Sequence, residues 1–128
     1  MSISKKFPRK TFKLQTSRQE LGSEGEKRVA EWYEENGYFL VDRNWRCAEG
    51  EIDLVVRRDR TVVFCEVKTR SSNAFGEPVE AVTEAKKFKV RKAATRWLTE
   101  NGAPLKGELR FDFASVMGGE INIIENAF

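Results

Sequence analysis

The chain has 128 residues, 34% charged and 40% apolar, with a formal net charge of +3. That is material for one hydrophobic core rather than two, and nine Phe, three Trp and two Tyr set it apart from disordered chains of similar charge. The absence of histidine excludes imidazole bases, Ser-His-Asp and Cys-His nucleophiles and His-containing zinc sites, so any chemistry falls to carboxylate, lysine, tyrosine or cysteine.

Residues 1–20 carry Lys5, Lys6, Arg9, Lys10, Lys13 and Arg18 against Glu20 alone. We expect a flexible basic arm over residues 1–17 and a single domain over residues 18–128. No apolar run nears the roughly 18 residues that cross a bilayer, and no apolar segment follows the basic start. These features point to a cytoplasmic protein with no membrane partner. Ser17 and Glu20 have the spacing of a capping box, and Asn36-Gly37 is a helix stop, which predicts a first helix over about residues 18–36. At about 100° per residue, Leu21, Gly25, Val29, Trp32 and Tyr33 share one stripe. Glu26 lies on the edge of that stripe, whereas Glu24, Glu31, Glu34 and Glu35 project to solvent. Gly22 and Gly25 each cost a helix about 1 kcal/mol relative to Ala, which implies close approach of another backbone or a ligand.

Three strands follow over residues 38–43, 51–57 and 61–69, each rich in β-branched and aromatic side chains. The second and third form a hairpin. With residues 58–61 as its loop, Arg57 pairs with Val62 and Asp53 falls opposite Glu66, on the same face. Along the third strand Val62, Phe64, Glu66 and Lys68 point one way and Val63, Cys65 and Val67 the other. Cys65 reads as a small buried hydrophobe, and neither it nor Cys47 has the partners for zinc or the setting for a disulfide. After a loop over residues 70–77, Pro78 at a first helical position opens a second helix that lasts to Asn101-Gly102. From Lys86 to Arg96 it carries Lys86, Lys87, Lys89, Arg91, Lys92 and Arg96 and no acid. Strands over residues 109–116 and 120–124 turn about Gly118-Gly119. The order αβββαββ predicts an α/β domain with a mixed β-sheet flanked by helices.

Two carboxylates about 5 Å apart across a strand pair suit a hard divalent cation, Mg²⁺ or Mn²⁺, that keeps several of its waters. Such a cation neutralises charge developing on a phosphoryl oxygen, and Lys68 beside it would position or deprotonate the attacking water. Asp53, Glu66 and Lys68 are therefore equipment for cutting a phosphodiester without histidine. By spacing alone, the same three also describe an ion pair on a surface hairpin. The two basic stretches likewise fit a grip on a polyanion, or a solvated tail and a solvated helix face.

The series Gly22-x-x-Gly25-Glu26, Arg43-Asn44, Gly50-Glu51-Ile52-Asp53-Leu54, Glu66-Val67-Lys68-Thr69-Arg70, Phe75-Gly76, Ala81-Val82-Thr83 with Lys86, Arg110-Phe111-Asp112 and Asn126-Ala127-Phe128 resembles the YraN-like family of small, largely uncharacterised bacterial proteins. That family is placed in the PD-(D/E)xK superfamily, and the resemblance spans about residues 18–128. It implies a restriction-endonuclease-like core similar to archaeal Holliday-junction resolvases, and a metal-dependent endonuclease acting on DNA, branched or flapped forms included. Under it Asp53 and Glu66 are the metal ligands, Lys68 is the catalytic lysine, and Glu26 is the helical acid that helps hold metal or water. Ile52 stands where the superfamily's leading proline would be. Asp112 and Asn126 are expected to hold the fold. Lys86, Lys87, Lys89, Arg91, Lys92 and Arg70 are the expected nucleic-acid contacts, although the role of Lys86 is open. The alternatives are a non-cutting nucleic-acid-binding module and a partner-binding protein, and a homodimer is compatible with each.

Overall fold

The computed structural model describes residues 17–70, 82–102 and 107–128, with side chains from residue 24 onward in the first helix. Its elements are α1 (Ser17–Glu35), β1 (Phe39–Cys47), β2 (Gly50–Arg58), β3 (Thr61–Arg70), α2 (Glu84–Glu100), β4 (Glu108–Met117) and β5 (Glu120–Ile124). The strands form one sheet in chain order, β3 and β4 parallel and the other neighbours antiparallel. This is a mixed α/β fold in the expected order, with α2 as the crossover that a parallel pair requires. The basic arm, the loop after β3 and Pro78 lie outside the described residues. Among those described, no helix is long and apolar enough to cross a membrane.

One helix covers each face of the sheet. From α1, Val29, Ala30 and Tyr33 pack on Leu54, Val56, Val63, Cys65, Ala114 and Val116, while Glu24, Glu31, Glu34 and Glu35 are exposed. From α2, Ala93, Ala94, Trp97 and Leu98 pack on Ile52, Val55, Val62 and Phe64. Cover on both faces explains why β2 and β3 read as near-continuous apolar runs over residues 54–56 and 62–65. Gly25 is buried where α1 crosses β3, and a Cβ there would run into the Thr69 hydroxyl. The close approach expected of this glycine is therefore real, and a side chain of the sheet makes it.

Two boundaries differ from expectation. Helix α2 begins at Glu84 rather than at Pro78, because extended Thr83 caps it, its hydroxyl accepting the Lys86 N–H at 3.1 Å. Proline is merely tolerated at a helix start, whereas a capping hydroxyl satisfies an otherwise orphaned donor. Strand β1 continues past Arg43 to Cys47, pairing as far as Cys47↔Gly50. Asn44, the first residue beyond the expected strand, is a local distortion within β1, with φ of 52°. The β2–β3 turn is also tighter than expected, since Arg58 pairs with Thr61 and only Asp59 and Arg60 remain. Its register is the expected one, Arg57↔Val62.

The end of the chain is fastened by a buried charge. Asp112 is 0% exposed. It accepts from Arg110 Nε at 2.9 Å and Nη2 at 3.0 Å, from the Tyr33 hydroxyl at 2.6 Å and from the Asn126 N–H at 3.0 Å. The Ala127 N–H bonds Phe111 O at 2.7 Å, and Phe128 stacks on Phe111. Burying an ion is tolerable when donors surround it, and here they come from α1, β4 and the C-terminal segment.

Candidate functional site

The β2–β3 ladder runs from Arg58↔Thr61 to Leu54↔Cys65. One step further, the same register sets Asp53 against Glu66. There the side chain enters the backbone pattern: Asp53 Oδ2 accepts the Val67 N–H at 2.8 Å. Two more irregularities meet at this point. Ile52 packs with the α2 layer and Leu54 with the α1 layer, although residues two apart share a face in a regular strand. Strand β2 thus turns over at Asp53. On β1, Asn44 lies between the pairs Arg43↔Leu54 and Trp45↔Ile52, and so opposite Asp53. It is in the left-handed region, which Asn tolerates better than most side chains.

Around Asp53 the fold gathers other acids. Burial and neighbouring Glu66 push its carboxyl up to about 8, Glu26 and Glu51 adding to the effect and the Val67 N–H opposing it. Glu26 arrives from α1 with 15% of its side chain exposed and Arg43 Nη2 3.8 Å away. Its carboxyl is pushed up by burial, against a hydrogen bond with Asn44 and the charge of Arg43. Glu66 is 14% exposed and pairs with Lys86 Nζ, from α2, at 3.2 Å. Desolvation pulls the Lys86 ammonium down, but Glu66, backed by Asp53 and Glu51, outweighs it and holds that pKa above the usual range.

Glu26, Asp53 and Glu66 are therefore brought into one electrostatic neighbourhood, as read from the sequence. Lys68 is exposed on β3, two residues beyond Glu66. Of the expected nucleic-acid contacts, Lys86 is turned inward onto Glu66, and Lys87 bonds Glu84 at 3.1 Å. Lys89, Arg91 and Lys92 are exposed, and Arg70 is half-buried. Three residues of this region were given no site role in the sequence, although Asn44 and Glu51 stand in its motif series. Asn44 stood in the Arg43-Asn44 motif just past the expected end of the first strand, and Glu51 in the motif around Asp53. Phe88 sits in the basic run, 60% exposed, with Lys92 Nζ 5.1 Å from its ring centre.

Among the described residues, no group of three or more Asp, Glu or Cys side chains is arranged to hold a metal ion. The donor set that remains is Asp53 with Glu66. It suits a hard divalent cation on its chemistry: both donors are carboxylates, Glu66 raises the proton affinity of Asp53, and Mg²⁺ characteristically takes one or two carboxylates and keeps water in its other positions.

The relatives of this chain share most of its length. A UPF0102 protein of Beutenbergia cavernae is 50% identical over 97 residues, covering 76% of this chain and 81% of the relative. The counterpart in Leifsonia xyli is 44% identical over 98 residues, 77% and 82% of the two chains. That of Clavibacter michiganensis is 42% identical over 111 residues, 84% and 93%. Residues 25–116 match the profile of the uncharacterised protein family UPF0102, a span that holds Glu26, Asp53, Glu66, Lys68 and Lys86. With relatives this similar over three quarters of its length, the chain belongs to the UPF0102 family.

Proposed function

We propose that the protein is a divalent-metal-dependent nuclease that hydrolyses phosphodiester bonds in DNA, with branched and flapped duplexes as its first candidate substrates. The observation that carries this reading is that Asp53, whose Oδ2 takes the Val67 N–H just beyond the end of the β2–β3 ladder, lies within the electrostatic reach of Glu66 and Glu26, with Lys86 on Glu66. Asp53 and Glu66 would hold Mg²⁺ or Mn²⁺, which when bound neutralises charge on a phosphoryl oxygen and acidifies water. Lys68, exposed near Glu66, orients the attacking water or offsets charge on the phosphate. Glu26 is half-buried and has an increased proton affinity, which fits a group that holds a water proton. Lys89, Arg91 and Lys92, with Arg70 and Lys87, supply attraction to a polyanion, and Phe88 among them offers a ring on which a base can stack.

The second reading is a nucleic-acid-binding module that does not cut. It draws support from the Lys86–Glu66 pair, which already balances one of the two ligand charges from within the chain. The test is incubation of the full chain with linear, single-stranded, flapped and four-way DNA, with and without Mn²⁺, beside Asp53→Asn and Lys68→Ala. Mn²⁺-dependent cutting that both variants lose, with binding retained, supports the nuclease. Binding without cutting in any metal supports the module, and neither binding nor cutting removes both readings.

A further inference from the structure

Lys86 differs from the other cations of α2 in what surrounds it. It stands four, seven and eleven positions before Val90, Ala93 and Trp97, all buried, so it heads the stripe that packs on the sheet. Thr83, by accepting the Lys86 N–H, sets the phase of that first turn. The stem is thereby laid over the sheet and the ammonium brought to 3.2 Å from Glu66 Oε2. Lys89, Arg91 and Lys92, on other sides of the same helix, are exposed. Glu66 in turn lies in one cluster with Asp53, Glu26 and Glu51, in which Arg43 stands 3.8 Å from Glu26 and Arg46 3.7 Å from Glu51, while Lys86 is the cation on Glu66.

We propose that Lys86 is the built-in counter-cation of this cluster, and that a divalent metal enters only by displacing its ammonium from Glu66. The inference rests on the metal site of the proposed function and adds to it a competitor supplied by the protein itself. The physical basis is plain electrostatics. A metal held by Asp53 and Glu66 and an ammonium on Glu66 are like charges within a few ångströms in a partly desolvated place, so one excludes the other. Occupancy by Lys86 stabilises the metal-free fold and weakens the metal by the same interaction.

The two effects separate this role from others. A merely structural lysine, once removed, lowers stability and leaves metal affinity unchanged or weaker. A lysine that contacts only substrate leaves metal affinity unchanged. Loss of a competing cation lowers the stability of the metal-free protein and tightens the metal. The experiment is calorimetric titration of Mn²⁺ into the full chain without DNA at pH 8.5, with thermal unfolding in EDTA alongside. Lys86→Met is expected to bind Mn²⁺ about tenfold more tightly than the wild type and to melt at a lower temperature in EDTA. Lys86→Arg, which keeps the charge, and Lys27→Met, which removes an exposed charge of α1, are expected to stay within about twofold of the wild type. Lys86→Gln repeats the measurement with a polar side chain should the Met form not fold. Unchanged or weaker Mn²⁺ binding in the Met and Gln forms overturns the displacement and leaves the metal site standing. Absence of Mn²⁺ binding in every form overturns the displacement together with the metal site beneath it.

Discussion

Two aspartates of this fold are withdrawn from water in opposite ways. Asp112 is surrounded by donors: a tyrosine hydroxyl, two guanidinium N–H groups and a backbone N–H. Asp53 has the Val67 N–H and is crowded by Glu66, Glu26 and Glu51, which with burial push it up to about 8 although Lys86 stands on Glu66. The first arrangement satisfies its charge inside the chain and so serves stability. The second meets its charge only in part from within the chain, which is what a binding site requires.

The hardest test of that contrast is Asp112→Ala. It removes the carboxylate shared by the Tyr33 hydroxyl and by Arg110, whose side chain is only 18% exposed and keeps Tyr38 and Glu125. A loss of about 3–5 kcal/mol in urea unfolding is expected, a large part of the stability of a small domain. A loss below about 1 kcal/mol would mean that the network is ornamental and the comparison false.

Tyr33→Phe probes the same network more gently and should cost about 1.5–3 kcal/mol at neutral pH, since the lost hydrogen bond is to a charged group. Burial pushes the Tyr33 hydroxyl well above its usual range, with Cys65 and Asp112 reinforcing it. The unfolded phenol ionises near about 10 while the folded one keeps its proton, so wild-type stability falls as pH rises beyond that point. The difference between wild type and Tyr33→Phe should therefore narrow above about pH 10, and a constant difference would contradict the placement of this proton.

Asp53→Asn is expected to have the smallest effect on stability and the opposite sign, a gain of about 0.5–2 kcal/mol in EDTA, together with loss of any cleavage. Its pH signature is also distinct. Below the ordinary aspartate range both states are protonated and Asp53 contributes nothing to the pH dependence. Between that range, near 3.8, and about 8 the unfolded chain has released the proton that the folded one retains. Wild-type stability consequently declines through this window, and Asp53→Asn should flatten the decline. Thermal unfolding scanned from pH 4 to pH 8 gives the answer. Destabilisation by Asp53→Asn throughout would place Asp53 beside Asp112 as a structural acid.

Much of this arrangement was legible along the chain. The period of two in β3 and the position of the turn before it are enough to set the register Arg57↔Val62, which brings Asp53 toward Glu66 at the end of the ladder, because a hairpin register follows from its turn. Likewise the 3.6-residue period of α1 separates Glu26, 15% exposed, from four glutamates left in solvent. Such local periodicities are properties of the backbone and need no knowledge of what lies opposite. What lies opposite was settled by packing alone. Periodicity shows that Ala93, Ala94 and Trp97 form the buried stripe of α2, but where that stripe lands on the sheet depends on how those side chains fit Ile52, Val55 and Phe64. That fit, with the Thr83 cap, carries Lys86 to Glu66. The reversal of β2 at Asp53 and the left-handed Asn44 opposite it arise in the same way, because strand geometry there answers to three neighbouring elements at once, and no stretch of sequence contains all three.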